Sequence, residues 1–338
     1  MREYNHKIYG YPIKRIPANL HFNNLSLSYS YALFKTLIVD NPDVIMTPRY
    51  YISKDYPDMF DLISFFCKII KKPLITFYAG NNLGYLTDKR YRFRRLRKFI
   101  GRTLIKKAAL QMTNKIICET ESEIKYLINK MGVDHNKIID LKNPVELSKF
   151  FDVPKIEAAK QLNKDPSKKY ILHVSTLSTD KGAQHIIHIL PKLIKKYEKI
   201  ELLITGTMRY KKYLKLLVNR MNLESHVSFL GRPDDLNLYY NLADSFCLPS
   251  NHSEGTPNVF LEALACNTPS VGTNIGGIPD ILSQNIGIII PQRDEEALYN
   301  ALIKILDRKH IVDQTRREKL LSRLSMDFFS DNLEKVFL

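Results

Sequence analysis

Two carboxylates, Glu254 and Glu262, flank the run Gly255-Thr256-Pro257-Asn258-Val259. A carboxylate accepts two hydrogen bonds in a forked geometry, which suits the vicinal hydroxyls of a sugar or a ribose. Between them the residue types read as a helix start. Thr256 is a good N-cap, and Pro257 suits the first helical position, where its missing N–H leaves nothing unpaired. The helix runs on from Asn258 and must stop before Pro269. The N–H groups and positive dipole end of its first turn make an anion site suited to a pyrophosphate. Gly255, beside Glu254, lets the backbone approach a ligand closely. One short element can thus hold sugar, phosphate and ribose together.

Two further turns carry complementary chemistry. Leu177-Ser178-Thr179-Asp180-Lys181-Gly182 follows an apolar strand and opens a helix, so Lys181 can reach the same phosphates. Gly276-Gly277-Ile278-Pro279-Asp280 is another glycine-rich turn after a strand. All three turns fall on one edge of the expected sheet, where ligands of such folds bind beyond the carboxyl ends of the strands.

The elements that position these residues follow from periodicity. Short segments with apolar cores at 43–48, 73–78, 115–119, 137–141, 170–175, 200–206, 227–231, 245–249, 269–273 and 287–291 read as strands, with helical patterns between them. That alternation is the signature of an α/β fold with parallel sheets covered on both faces. The helix after 170–175 carries an internal proline, Pro191, that should kink it. The alternation breaks at Asn143-Pro144-Val145-Glu146, which puts a domain boundary near residue 150. Two tandem Rossmann-like domains are expected, over 1–150 and 151–315. A helical segment at 316–338 would pack back on the first domain. No Gly-rich turn precedes the first strand, and residues 7–16 and a helix expected around 26–39 come where a second or third unit would be, so the amino-terminal domain reads either as shortened or as lacking the start of the natural chain.

The carboxy-terminal half resembles the family 4 retaining glycosyltransferases, which have the two-Rossmann GT-B fold. The residues that carry the resemblance are Val174–Gly182, Phe229-Leu230-Gly231, Tyr240-Asn241-Leu242-Ala243-Asp244, Pro249-Ser250, Glu254–Ala263 and Gly276–Asp280. Asn143-Pro144-Val145-Glu146 with Phe150 is similar to the family's interdomain segment. The resemblance implies transfer of a sugar from a nucleotide diphosphate sugar to a glycan or lipid-linked acceptor, with retention. It implies that Glu254 contacts the donor sugar as the catalytic residue and that Glu262 binds the ribose. Lys181 and the amides of Asn258 and Val259 would hold the pyrophosphate, with Gly255, Thr256, Thr176 and Gly277 completing the donor site. Family members need no metal and no cofactor beyond the donor. This sequence departs from the family at Thr176, where an arginine is usual, and at Ala79, where a histidine is frequent. The competing reading is a non-catalytic nucleotide-sugar or glycan-binding protein derived from such an enzyme.

Charge suggests a second partner. The chain carries a net charge of +16, and residues 89–107 hold ten Lys or Arg and no acid. There Phe93, Leu96, Ile100 and Leu104 recur at helical spacing, the pattern of a basic amphipathic helix. Arg92, Arg94, Arg95 and Lys98 are the expected contacts to an anionic membrane surface. No nucleic-acid module is visible, so nucleic acid is disfavoured. No apolar run reaches the roughly 20 residues that span a bilayer, and the amino terminus lacks a signal's apolar core, so a cytoplasmic location is expected, peripheral to the membrane. Cys67, Cys118, Cys247 and Cys266 stand singly among apolar neighbours, as reduced core cysteines do. His185 and His188 are three apart on an expected helix, but no third ligand is evident and no metal is expected. His252 is placed to line the donor pocket.

Overall fold

The computed structural model describes residues 6–8, 11–13, 44–50, 59–78, 96–207, 210–252, 255–283 and 285–337. They fall into two compact units, Met1–Cys118 with Glu123–Ile139, and Glu119–Ser122 with Asp140–Leu338. The expected helix around 26–39 lies outside the described residues.

In the first unit a short antiparallel pair, β1 (His6–Ile8) and β2 (Tyr11–Ile13), precedes a sheet of four strands. These are β3 (Ile45–Tyr50), β4 (Leu74–Tyr78), β5 (Lys115–Cys118) and β6 (Ile138–Asp140), hydrogen-bonded in that order. Helices α1 (Met59–Ile69), α2 (Leu96–Met112) and α3 (Glu121–Asn129) connect them. Strand β4 reads Leu-Ile-Thr-Phe-Tyr and is buried almost throughout, as a strand covered on both faces must be. Its core gathers Ile63, Cys67, Leu74, Leu110, Ile116 and Leu127.

Helix α2 corrects one expectation. Leu104, assigned to the apolar face, is 61% exposed, while Lys106, Ala109 and Leu110 are buried. The buried stripe is thus offset from the expected one and includes a lysine, which apolar spacing does not signal.

The second unit holds a six-stranded, wholly parallel sheet. Its strands are β7 (Lys169–Val174), β8 (Ile200–Thr205), β9 (Val227–Gly231), β10 (Ser245–Leu248), β11 (Ser270–Thr273) and β12 (Ile288–Ile290). Their spatial order is β12-β11-β10-β7-β8-β9, so β10 pairs with β7 rather than with its predecessor. The connecting helices are α4 (Lys155–Gln161), α5 (Ala183–Lys196), α6 (Tyr210–Arg220), α7 (Leu236–Leu242), α8 (Asn258–Ala265), α9 (Ile278–Leu282) and α10 (Glu295–Leu306).

Alternation along each strand feeds two cores, one on each face. Tyr170, Leu172, Phe246 and Leu248 join Phe260 and Ile281 on one side. Ile171, Ile204, Cys247 and Val271 join Ile186, Leu190 and Leu302 on the other. Helix α5 runs through Pro191 because it buries Ile186, Ile187, Ile189, Leu190 and Leu193, each contributing about 1.5–3 kcal/mol. All four cysteines are free and buried.

Two last helices, α11 (Gln314–Ser322) and α12 (Met326–Phe337), follow. Helix α11 is anchored within the second unit. The buried Arg317 guanidinium donates from Nε to the Leu264 carbonyl (2.8 Å) and from Nη2 to the Ala265 carbonyl (2.8 Å). Those carbonyls close the last turn of α8, where a cation meets the negative end of the helix. Arg317→Ala is expected to cost about 2–4 kcal/mol of unfolding free energy, because two buried acceptors lose a charged donor. Arg317→Lys should recover less than half of it, since one ammonium does not reproduce the guanidinium fork. Urea unfolding of the three proteins measures both values.

Candidate functional site

The strand order reverses between β7 and β10, and the turns that leave those two strands carry the expected site residues. After β7 the chain passes Thr176, which is exposed, and a single 3-10 turn, Thr179–Lys181, before Gly182 opens α5. Gly182 has φ 77°, and a Cβ there would stand 2.0 Å from the Pro249 carbonyl oxygen. Only glycine lets the turn close against the segment after β10. The Asp180 carbonyl then accepts from Asn251 N (2.7 Å) and from Ser250 Oγ (3.1 Å). Lys181 and the 249–251 segment are thereby held together.

Beneath this contact lies His173, fully buried on β7. Its Nδ1 meets the Cys247 carbonyl (2.9 Å) and its Nε2 meets Ser175 Oγ (2.8 Å). A carbonyl only accepts, so Nδ1 carries the proton and Ser175 donates to Nε2. Burial pushes the imidazole down to about 4, and the Lys181 charge adds to that. His173 is therefore a neutral structural pin.

Helix α8 begins one residue later than its sequence suggests. Pro257 occupies the N-cap position, and Thr256 does not cap. The Thr256 hydroxyl donates instead to the Glu119 carbonyl (3.0 Å), and its amide donates to Glu119 Oε2 (3.3 Å). Asn143 Nδ2 donates to the Thr256 carbonyl (3.2 Å) and to Asn258 Oδ1 (3.1 Å). Phe260 N is taken by the Pro257 carbonyl, with Asn258 and Val259 ahead of it in the first turn. The glycine pair closes the other side. Gly277 N donates to the Gly255 carbonyl (3.2 Å). A Cβ at Gly277 would come within 2.6 Å of that oxygen and 2.7 Å of Thr120 Cγ2. Asp280 Oδ2 accepts from Glu121 N (2.8 Å), and burial raises its carboxyl above the ordinary range.

One turn into α8, Glu262 accepts from the Tyr240 hydroxyl at Oε2 (2.9 Å). Behind it runs an edge-to-face series, with Phe150–Tyr240 centroids 6.0 Å apart, Tyr240–Phe246 5.6 Å and Phe246–Phe260 5.0 Å. Such pairs contribute about 0.5–1.5 kcal/mol each beyond their burial. In front of Glu262 is a cleft of 470 Å³ lined by Glu146, Lys149, Phe150, Asp234, Asn258 and Glu262, among others. Burial raises the Glu262 carboxyl, opposed by the Tyr240 hydrogen bond and the Lys149 charge.

Thr256 and Asn258 are thus linked through Asn143 and Glu119, Gly255 is bonded to Gly277, Val259 and Glu262 follow on α8, and the Thr176–Lys181 turn is pinned to the segment after β10. Glu254, Ala79, Arg92, Arg94 and Arg95 lie outside the described residues. Lys98 lies on α2. His252 is exposed. Three residues of the site carry more than their sequence signal suggests. Glu119 is visible as an acid directly after an apolar strand, Asn143 only as part of a segment, and Tyr240 only as part of a motif.

Residues 154–320 match the family described as glycosyl transferases group 1. An uncharacterized glycosyltransferase of Haemophilus influenzae is 29% identical over 244 residues, covering 71% of this chain and 65% of that one. A GDP-mannose-dependent monoacylated alpha-(1-6)-phosphatidylinositol monomannoside mannosyltransferase of Corynebacterium glutamicum is 29% identical over 173 residues, 48% of this chain and 45% of that one. The chain therefore spans less than two thirds of the length of these relatives. In structure, sucrose-phosphate synthase from Thermosynechococcus elongatus superposes with a TM-score of 0.74 at 18% identity, over 98% of this chain and 84% of that one. That likeness identifies the fold as the GT-B arrangement of α/β units.

The state of Glu262 has a measurable consequence. A carboxyl whose folded pKa exceeds its ordinary 4.5 binds its proton more tightly in the folded state. The protein then loses stability as pH rises from 4.5 through the raised value, and the loss is complete above it. Glu262→Gln keeps the shape and an acceptor for Tyr240 without the buried charge. Its thermal midpoint is expected above wild type at neutral pH, with the two converging below pH 4.5. Thermal scans across that range, showing a constant offset instead, would count against the assignment.

Proposed function

We propose, taking residues 154–320 as a glycosyl transferases group 1 domain, that this chain transfers a sugar from a nucleotide diphosphate sugar to a glycan or lipid-linked acceptor with retention. The observation that supports the reading is the crevice at the strand reversal, where the turn after β7 is bonded to the segment that leaves β10 toward α8. A diphosphate lies there on the Asn258 and Val259 amides, within reach of Lys181, and Gly255, Thr256, Thr176 and Gly277 shape its surroundings. Glu262, held by Tyr240, takes the ribose hydroxyls. Glu254 is assigned to the donor sugar, as the group that faces its developing positive charge.

Departure of the diphosphate builds negative charge as the sugar–oxygen bond breaks. Lysine and helix amides fixed in advance stabilise that charge without reorganising, which is where such a site gains its rate. No cofactor and no metal enter this scheme. The GDP-mannose dependence of the Corynebacterium relative supports a nucleoside-diphosphate donor.

Calorimetry against UDP, GDP and ADP tests the donor half. One of the three is expected to bind, and Glu262→Ala should weaken it about 10- to 100-fold, the loss of one or two hydrogen bonds to a charged acceptor. Release of free nucleotide from the matching donor, supplied with membrane extract, tests catalysis. Binding without release under every condition would favour a non-catalytic binding protein.

The acceptor side rests on charge. Among the described residues no helix is long and apolar enough to cross a membrane. The basic run 89–107, with Arg92, Arg94, Arg95 and Lys98, is assigned to an anionic membrane face, each cation near the surface contributing about 1 kcal/mol. Vesicles containing phosphatidylserine are expected to bind the protein and to release it as salt rises. Equal partitioning to neutral and anionic vesicles would sink this assignment.

A further inference from the structure

We propose that the second unit carries a site for a divalent transition metal of the Zn2+ type, formed by His185 and His188 of α5 and Glu295 of α10. Sequence spacing places the two histidines on one helix face but offers no third ligand. The fold supplies it from 107 residues further along the chain. His185 Nδ1 and His188 Nδ1 each stand 2.8 Å from the same oxygen, Glu295 Oε1. One ligand atom from each residue lies within 4.8 Å of the others.

The donor set selects the ion. Two imidazoles and a carboxylate suit Zn2+ and its neighbours, whereas Mg2+ and Ca2+ favour all-oxygen sites. Tetrahedral Zn2+ at about 2.0–2.1 Å from each ligand sets neighbouring ligand atoms about 3.3 Å apart. Each histidine-to-Glu295 distance therefore needs to open by about half an ångström. His188 and Glu295 can supply that movement, since their side chains are 37% and 39% exposed, and the same exposure leaves a position for water on the ion.

Glu295 is fixed at the first turn of α10, where Asp294 caps the helix by accepting from Ala297 N (2.8 Å). The neighbouring acid, Glu296, is engaged with Lys192 (3.2 Å) and stays out of the trio.

The far side of His185 is also prepared. A histidine that ligates through Nδ1 carries its proton on Nε2 and needs an acceptor there. His185 Nε2 lies 2.9 Å from the Asn251 amide. With Nδ2 turned toward the ring, Asn251 Oδ1 is buried without a hydrogen-bond partner. The alternative orientation of that amide, which the network alone decides, presents Oδ1 to the Nε2 proton. Asn251 N is bonded to the Asp180 carbonyl, so an ion on His185 would also stiffen the turn that carries Lys181. That consequence rests on the donor reading above; the metal site itself does not.

The test uses the full chain, stripped with chelator and titrated with Co2+ and then Zn2+. The expected result is one Co2+ per chain with tetrahedral visible absorption, displaced by Zn2+, and a thermal midpoint raised by Zn2+. His188→Ala and Glu295→Gln should each weaken uptake more than tenfold and abolish the Zn2+-dependent rise, and Asn251→Ala should weaken it about tenfold. The variants at 188 and 295 change partly exposed side chains, so their folding is checked by the metal-free midpoint. No stoichiometric uptake would overturn the proposal, leaving the trio as an ion pair. So would uptake unchanged in both His188→Ala and Glu295→Gln, which would place the ion elsewhere. Because nucleotide is absent throughout, failure here leaves the donor reading untouched.

Discussion

The close approach of Gly182 to the Pro249 carbonyl is the constraint on which the second unit's chemistry depends. The chain winds from β7 to β8 and β9 on one side, then returns to lay β10 against the opposite edge of β7. The helices that follow these two central strands consequently depart to opposite faces. Helix α5 packs with α10 in one core, and α8 packs with Tyr240 and Phe246 in the other. Divergent exits leave a crevice at the carboxyl ends of the two strands. A side chain at 182 would hold the two turns apart, so the crevice exists in this form only because that residue is glycine.

Much of this was legible in the chain, for a physical reason. Strands covered on both faces must be apolar almost throughout, so β4, β5 and β7 stand out at 74–78, 115–118 and 169–174, within a residue or so of the expected bounds. Motif residues were less transparent, because sequence does not separate those that fold the chain from those that face the crevice. Asp244 is an example of the first kind. Its Oδ2 accepts from Tyr170 N (2.8 Å) and Lys155 Nζ (2.6 Å), fixing the start of β7. Tyr240 belongs to both kinds, since it is buried in the core and presents its hydroxyl to Glu262.

Two features escaped the sequence because a partner is distant in the chain. Thr256 before Pro257 has the composition of a helix cap, yet its hydroxyl is claimed by a carbonyl 137 residues earlier. His185 and His188 read as an incomplete pair because Glu295 arrives only when α10 packs against α5. On α2 the error is different. A lysine in the buried stripe carries no hydrophobic signal, so helical spacing points to Leu104, which is exposed, and passes over Lys106, which is buried.

These long-range polar contacts also say what the site is built to favour. Glu119 is buried and Glu262 and Asp280 are partly so, and burying such groups costs free energy that apolar replacements would not. Their geometry recovers part of that cost: Glu119 receives the Thr256 amide, Asp280 the Glu121 amide and Glu262 the Tyr240 hydroxyl. What remains is an arrangement fixed before any ligand arrives, with the amino end of α8 tethered by Asn143 on one side and Gly255 held by Gly277 on the other. His173 fits the same logic. Kept neutral under the Lys181 charge, it braces β7 against β10 without adding a second cation whose protonation would vary with pH. In the donor reading proposed above, with Thr176 uncharged, the positive potential offered to a diphosphate would come from Lys181 and the dipole of α8.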